Sequence, residues 1–192
     1  SLRRPSRLIS FSNRFSPRNR FVARGFEQAG FATLLLDLLT AEEQVVEEQS
    51  RERRFDMSLL ARRAAGVLDW LEREPQTSGL PVALFGASTG AAAALLAAAQ
   101  RPDRVAAVVS RGGRVDLADA VLGDVRAPTL MIVGSHDHAV LELNRAAAER
   151  MHAPHQLELV DATHLFEEPG ALEKVLSLSV DFVMRQLVTH GS

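Results

Sequence analysis

Cysteine is absent from all 192 residues, which excludes disulfides and thiolate metal sites and fits a reducing compartment such as the cytoplasm. No apolar run has the length of a membrane span. The stretch "FATLLLDLL" at 31–39 is interrupted by Asp37 and has the length of a buried strand. No G-K-[ST] follows a glycine-rich loop, so a phosphate-binding P-loop is excluded, and the glycine spacing around Gly86 and Gly90 does not suit a dinucleotide fingerprint. Lysine is nearly missing: Lys174 is the only one among 22 basic residues, which points to a GC-rich coding bias more than to a function. Acidic residues are missing from positions 1–26, which hold seven arginines, although the whole chain carries a net charge of −2. Such an Arg/Ser-rich start has the composition of a transit peptide or a nucleic-acid arm. With no aromatic or glycine interleaving and an acidic remainder, the expectation is a solvated, poorly ordered segment and no nucleic-acid partner.

What is present reads as one globular domain, 46% hydrophobic and 24% charged, with no internal repeat and no linker. Short apolar runs closed by Gly, Asp or Ser recur at 31–39, 81–88, 104–112, 128–135 and 156–161 and predict buried parallel strands. Between them, 55–73, 89–101, 139–152 and 171–188 have helical spacing; in the first, Leu59, Leu60, Ala64, Val67, Leu68 and Leu71 share one face. The alternation predicts an α/β fold, a mostly parallel sheet with helices on both faces. The polar stretch 40–55, with Glu47 and Arg51 at i, i+4 spacing, reads as a solvent-facing excursion.

Ligands bind at the carboxyl ends of strands in such sheets, and three residues stand just there: Ser88, Asp137 and His164. Ser88 lies in Gly86-Ala87-Ser88-Thr89-Gly90, a G-x-S-x-G sequence between a strand and a helix, and the chain order Ser, Asp, His is that of an α/β-hydrolase. A serine hydroxyl is a weak nucleophile until an imidazole takes its proton, and the imidazole needs a carboxylate to fix its tautomer. The elbow forces Ser88 into a strained backbone conformation and leaves no room for side chains at positions 86 and 90. Thr89 opens the following helix, so its N–H is the expected oxyanion donor. Asp161, three residues before His164, is the rival for the acid. His136, Asp137 and His138 lack a third ligand group with metal spacing, and His152, His155 and His190 have no evident role. Arg111 ends a strand at the catalytic edge and reads either as a clamp for a substrate carboxylate or as a salt bridge to an acid such as Asp116 or Glu167; Arg18 and Arg20 of "SPRNR" are candidates for the same role. The alanines after the elbow suggest a preference for short acyl groups.

The stretches "SPRNR", "LLLDLLT", "RRFD", "GLPVALFGASTGAAAAL", "VVSRGGR", "RAPTLMIVG" and "ATHLFEEPGAL" resemble those of dienelactone-hydrolase-like members of the α/β-hydrolase superfamily, from about Ser16 to the C-terminus. The resemblance implies Ser88 as nucleophile, Asp137 as orienting acid and His164 as base, with no cofactor. It departs from dienelactone hydrolases proper, which use a cysteine nucleophile; the expected substrate is therefore a small carboxylic ester or lactone in general. It departs again before "SPRNR", where relatives carry a glycine- and serine-rich loop that gives the second oxyanion N–H, whereas residues 8–15 read "LISFSNRF". The expected organisation is an altered or poorly ordered segment over 1–15 and one hydrolase domain over 16–192, with the N-terminal strands shortened or missing. The expected chemistry is that of a serine esterase working through an acyl-enzyme. The alternative is a hydrolase-fold binding or scaffold protein with weak or no turnover. No metal and no membrane partner is expected, and a homodimer is left open.

Overall fold

A computed structural model describes residues 6–43 and 56–189. Six strands form one parallel sheet in the order β2-β1-β3-β4-β5-β6. They are β1 (Arg7–Phe11), β2 (Ala32–Leu36), β3 (Val82–Ala87), β4 (Val105–Arg111), β5 (Thr129–Gly134) and β6 (His155–Val160). The helices are α1 (Pro17–Gln28), α2 (Met57–Arg73), α3 (Thr89–Gln100), α4 (His138–Ala148) and α5 (Ala171–Thr189), with a 3-10 segment at Val115–Asp124. The expected α/β architecture is present, a parallel sheet between two helical layers.

The sequence patterns explain where each strand lies. β3, β4 and β5 are apolar on both faces and buried almost throughout, as central strands must be. β2 and β6 keep exposed positions and form the two edges. One face of the sheet, through Leu8, Phe85, Val109 and Ile132, packs on Val22 and Phe26 of α1 and Val175 and Phe182 of α5. The other, through Ile9, Phe11, Leu84, Val108 and Met131, packs on α2, α3 and the 3-10 segment. Ala91, Ala92, Ala93 and Ala94 are fully buried, so their small side chains set how closely α3 approaches the sheet.

The start of the chain differs from expectation. Residues 7–11 are an interior strand, paired with β2 on one side and β3 on the other, with Leu8, Ile9 and Phe11 each 1% exposed. The arginines around this five-residue run masked it: averaged with its neighbours it reads as polar, yet its own apolar side chains alternate between the two cores. Arg7 itself is tied down, donating to the Gln76 carbonyl at 2.9 Å. α1 was also hidden, although Ser16-Pro17 is a common way to open a helix. The predicted excursion is described only as far as Glu43, whose carboxylate accepts from Arg63 Nη1 and Nη2 and from the Thr40 N–H; Glu47 and Arg51 lie outside the described residues.

From β1 the chain moves to β2 on one side and then to β3 on the other, so β1 and β3 flank the point where the connections diverge. Their carboxyl ends open a crevice there, the usual position for a ligand in such sheets.

Candidate active site

Ser88 stands between β3 and α3 with φ 51° and ψ −120°, a conformation that non-glycine residues adopt only where the surrounding structure enforces it. A Cβ on Gly86 would collide with the backbone of Gly90 and Ala91, and one on Gly90 with the Phe11 carbonyl of β1. The two glycines thus let the turn close and let α3 lie against β1, which leaves the Ser88 hydroxyl at the mouth of the crevice.

His164 comes from the loop after β6, and its Nε2 lies 3.1 Å from Ser88 Oγ. Its Nδ1 lies 2.6 Å from Asp137 Oδ2, on the loop after β5. The two bonds together assign the tautomer: Nδ1–H donates to the carboxylate, and Nε2 accepts the serine proton. Asp137 is the N-cap residue of α4 but makes no side-chain cap bond, so its carboxylate is left for the imidazole. The rival Asp161 is elsewhere; its side chain is 93% exposed and bonds His136 Nε2 at 2.7 Å. Gly112 (φ +55°) lies under the His164 ring, where an added Cβ would stand 3.3 Å from two ring atoms. Sequence reasoning did not single out Gly112, although a Gly-Gly pair just after a strand at the catalytic edge was the available signal.

A cavity of about 340 Å³ opens on Ser88, lined by Phe11, Ser12, Asn13, Leu38, Leu39 and Leu60 among others, with Thr89 and Gly90 at the elbow. The alanines of α3 are sealed in the core instead of forming its walls. The loop that follows β1 is bound to its surroundings. Ser12 Oγ accepts the Ala87 N–H at 3.1 Å, Arg14 N–H donates to Asp37, Phe15 N–H to Asn13 Oδ1, and Ser16 N–H to Asn13 O.

Arg111 lies beside the elbow, its carbonyl accepting the Ser88 N–H at 3.3 Å. The acids expected to pair with it are taken by other arginines, Asp116 by Arg114 at 2.9 Å and Glu167 by Arg18 at 3.2 Å. Arg111 Nη2 donates to Asn19 Oδ1 at 2.9 Å. Burial, with repulsion from Arg18, lowers its guanidinium to about 10. Arg20 is turned away, its Nε donating to the Arg14 carbonyl. Among the described residues no group of three or more His, Asp or Glu side chains has metal-holding geometry, and no helix is long and apolar enough to cross a membrane.

The model of the dienelactone hydrolase family matches residues 16–177. A dienelactone hydrolase from Anabaena variabilis, known from a crystal structure, is 49% identical, with a TM-score of 0.87 over 94% of this chain and 86% of that one. Est1E from Butyrivibrio proteoclasticus is 16% identical, with a TM-score of 0.77 over 96% of this chain and 88% of its own, and shows the shared fold. A Mycobacterium tuberculosis protein provisionally named as a phosphoribosyl transferase is 54% identical over 183 residues. Those residues are 95% of this chain and 40% of that protein, so the chain spans less than half the length of its curated relative.

Proposed function

The chain belongs to the dienelactone hydrolase family, and on that premise we propose that it is a serine hydrolase that opens a small carboxylic ester or lactone through an acyl-enzyme. The observation that carries the reading is the continuous Ser88–His164–Asp137 chain of hydrogen bonds at 3.1 and 2.6 Å. His164 Nε2 takes the Ser88 proton as Oγ attacks the carbonyl carbon, and Asp137 stabilises the imidazolium that results. Thr89 N–H, at the first position of α3, receives the oxyanion beside the positive end of the helix. Collapse breaks the ester bond, and the leaving alkoxide takes the proton from His164. Water, deprotonated by the same nitrogen, then frees the acid and restores Ser88. The cavity's size and its Leu38, Leu39 and Leu60 walls support a small substrate. The phosphoribosyl transferase name of the M. tuberculosis relative is not carried over to this chain, which matches 40% of that protein.

A second reading, a slow enzyme, is favoured by the loop after β1. Its Arg14, Phe15 and Ser16 amides are already engaged by Asp37 and Asn13, so none of the three serves as the second oxyanion donor. Losing one such donor costs on the order of a hundred- to a thousandfold in kcat. The test is labelling with a fluorophosphonate probe alongside turnover of p-nitrophenyl esters of increasing chain length. Labelling that disappears in Ser88→Ala, with turnover best for short acyl groups, is expected. Labelling with poor turnover of every ester and lactone selects the slow enzyme, and no labelling at all refutes the serine mechanism.

A further inference from the structure

We propose that Phe166 is a positioning residue for the reaction: its buried ring, turned inward by a left-handed backbone conformation, anchors the loop of His164 so that the imidazole meets Ser88 and Asp137 at once. The inference rests on the serine-hydrolase reading and adds a residue that acts through His164 without touching the substrate.

Among the described residues two non-glycine positions have a positive φ, Ser88 at 51° and Phe166 at 53°. One bears the nucleophile, and the other follows the base by two residues. A bulky aromatic residue enters this region only where the surrounding structure outweighs the cost. At Phe166 what outweighs it is burial. Over residues 163–170 it alone is buried, at 2% exposed, in the core cluster that also holds Ala162, Ala171 and Val175. Leu165, the apolar residue just before it, is left 45% exposed. The backbone thus turns the phenyl ring into the core and leaves the leucine outside.

The consequence falls on His164. Phe166 N–H donates to the Thr163 carbonyl at 3.2 Å, which places His164 and Leu165 at the two central positions of a reverse turn. The chain before that turn is held to the end of β5: His136 N–H donates to the Ala162 carbonyl at 3.1 Å, and Gly134 has no Cβ where the Ala162 and Thr163 carbonyls approach. After the turn, Phe166 is the anchor. Its ring shares a floor with the imidazole. A Cβ on Gly112 would stand 3.3 Å from His164 Cε1 and Nδ1 and 3.5 Å from Phe166 Cε2, so both rings face the same side of that glycine. Gly112 is itself fixed, its N–H donating to the Ile132 carbonyl at 2.7 Å. Its neighbours hold the nucleophile: the Arg111 carbonyl accepts the Ser88 N–H at 3.3 Å, and Arg114 N–H donates to the Ser88 carbonyl at 3.0 Å. The short segment 111–114 therefore sets Ser88 through backbone bonds and faces His164 and Phe166 across Gly112. A misplacement of the imidazole by about 1 Å is enough to cost about a hundredfold in rate.

The test is steady-state kinetics of the full chain on p-nitrophenyl acetate. Phe166→Ala should lower kcat about a hundredfold and leave KM unchanged, because among the described residues Phe166 is not one that lines the Ser88 cavity. Phe166→Leu, which keeps an apolar side chain at the same place, should recover most of the loss. The decisive comparison is made without the base. Added to His164→Ala, Phe166→Ala should change the residual kcat little, since nothing is left for it to position. An equal loss with and without His164, or a parental kcat in Phe166→Ala, overturns the proposal and leaves the serine mechanism standing. Should Phe166→Ala not fold, Phe166→Gly, which relieves the backbone strain as it removes the ring, takes its place in the same cycle. If Ser88 does not label with the fluorophosphonate probe, the serine mechanism falls, and Phe166 is then judged by proton NMR of the imidazole Nδ1–H that Asp137 holds at 2.6 Å. Loss of that signal in the variant supports the anchor, and its persistence overturns it.

Discussion

Asp137 and Asp161 are both within reach of the His164 loop in sequence, and only their environments separate them. Asp137 is 13% exposed and bonded to the imidazole, whereas Asp161 is out in solvent with His136. Asp137→Asn should therefore lower kcat by on the order of a thousand- to ten-thousandfold by favouring the wrong tautomer. Asp161→Asn should leave ester turnover near that of the parent, because an exposed pair contributes little; steady-state kinetics on the two variants checks this, and the reverse ranking would exchange their roles. Glu168 braces the same loop, its Oε1 accepting the Thr163 N–H at 2.9 Å. Bonds from Thr163, hydroxyl first and amide next, hold the Glu168 carboxyl below its ordinary value. A lowered carboxyl stabilises the fold above the unfolded-state pKa and loses that contribution as pH falls through the folded one. Glu168→Gln should accordingly shift the urea midpoint downward at pH 7, and the difference from the parent should vanish under strongly acidic conditions.

Among the elements, α3 and the strands that flank it carry the site, and Gly90 fixes how they meet. Gly90→Ala drives a Cβ into the Phe11 carbonyl, a backbone atom that no rotamer change can move. The expected result is loss of soluble protein or a large fall in Tm, read by circular dichroism, where Gly30→Ala serves as a comparison with open space around it but a φ of +95°. These close approaches explain what the sequence made legible. The central strands, the elbow and the order Ser88, Asp137, His164 could be read because each leaves a local signature: a doubly apolar run, paired glycines, a polar residue just after a strand. β1 and the partnership of Arg111 with Asn19 could not. β1 is five residues set among arginines, and Asn19 meets Arg111 across 92 positions of sequence, a separation that no pattern in either segment encodes. Of the two acids expected beside Arg111, Asp116 is held by Arg114 two residues away and Glu167 by Arg18 of α1.

At the scale of the whole molecule, β1 decides whether the sheet is one body. It joins β2 to β3, and without it β2 would lose its only partner strand among the described residues and β3 would become an edge with unpaired backbone groups. A chain beginning at Ser16 should therefore fail to show a cooperative thermal transition, even though the family match begins at that residue; a calorimetric scan with a single sharp peak would contradict this. The position of β1 also has a consequence in time. Ser12 waits for Ala87, 75 residues later, before the pair can bond. At ribosomal speeds of about 5–20 residues per second, that is a delay of roughly 4–15 s. During that interval Leu8, Ile9 and Phe11 are a short apolar segment still without β3, their partner strand on one side. The arginines on either side, which concealed the strand from a reading of composition, then act as its guardians against self-association on the emerging chain.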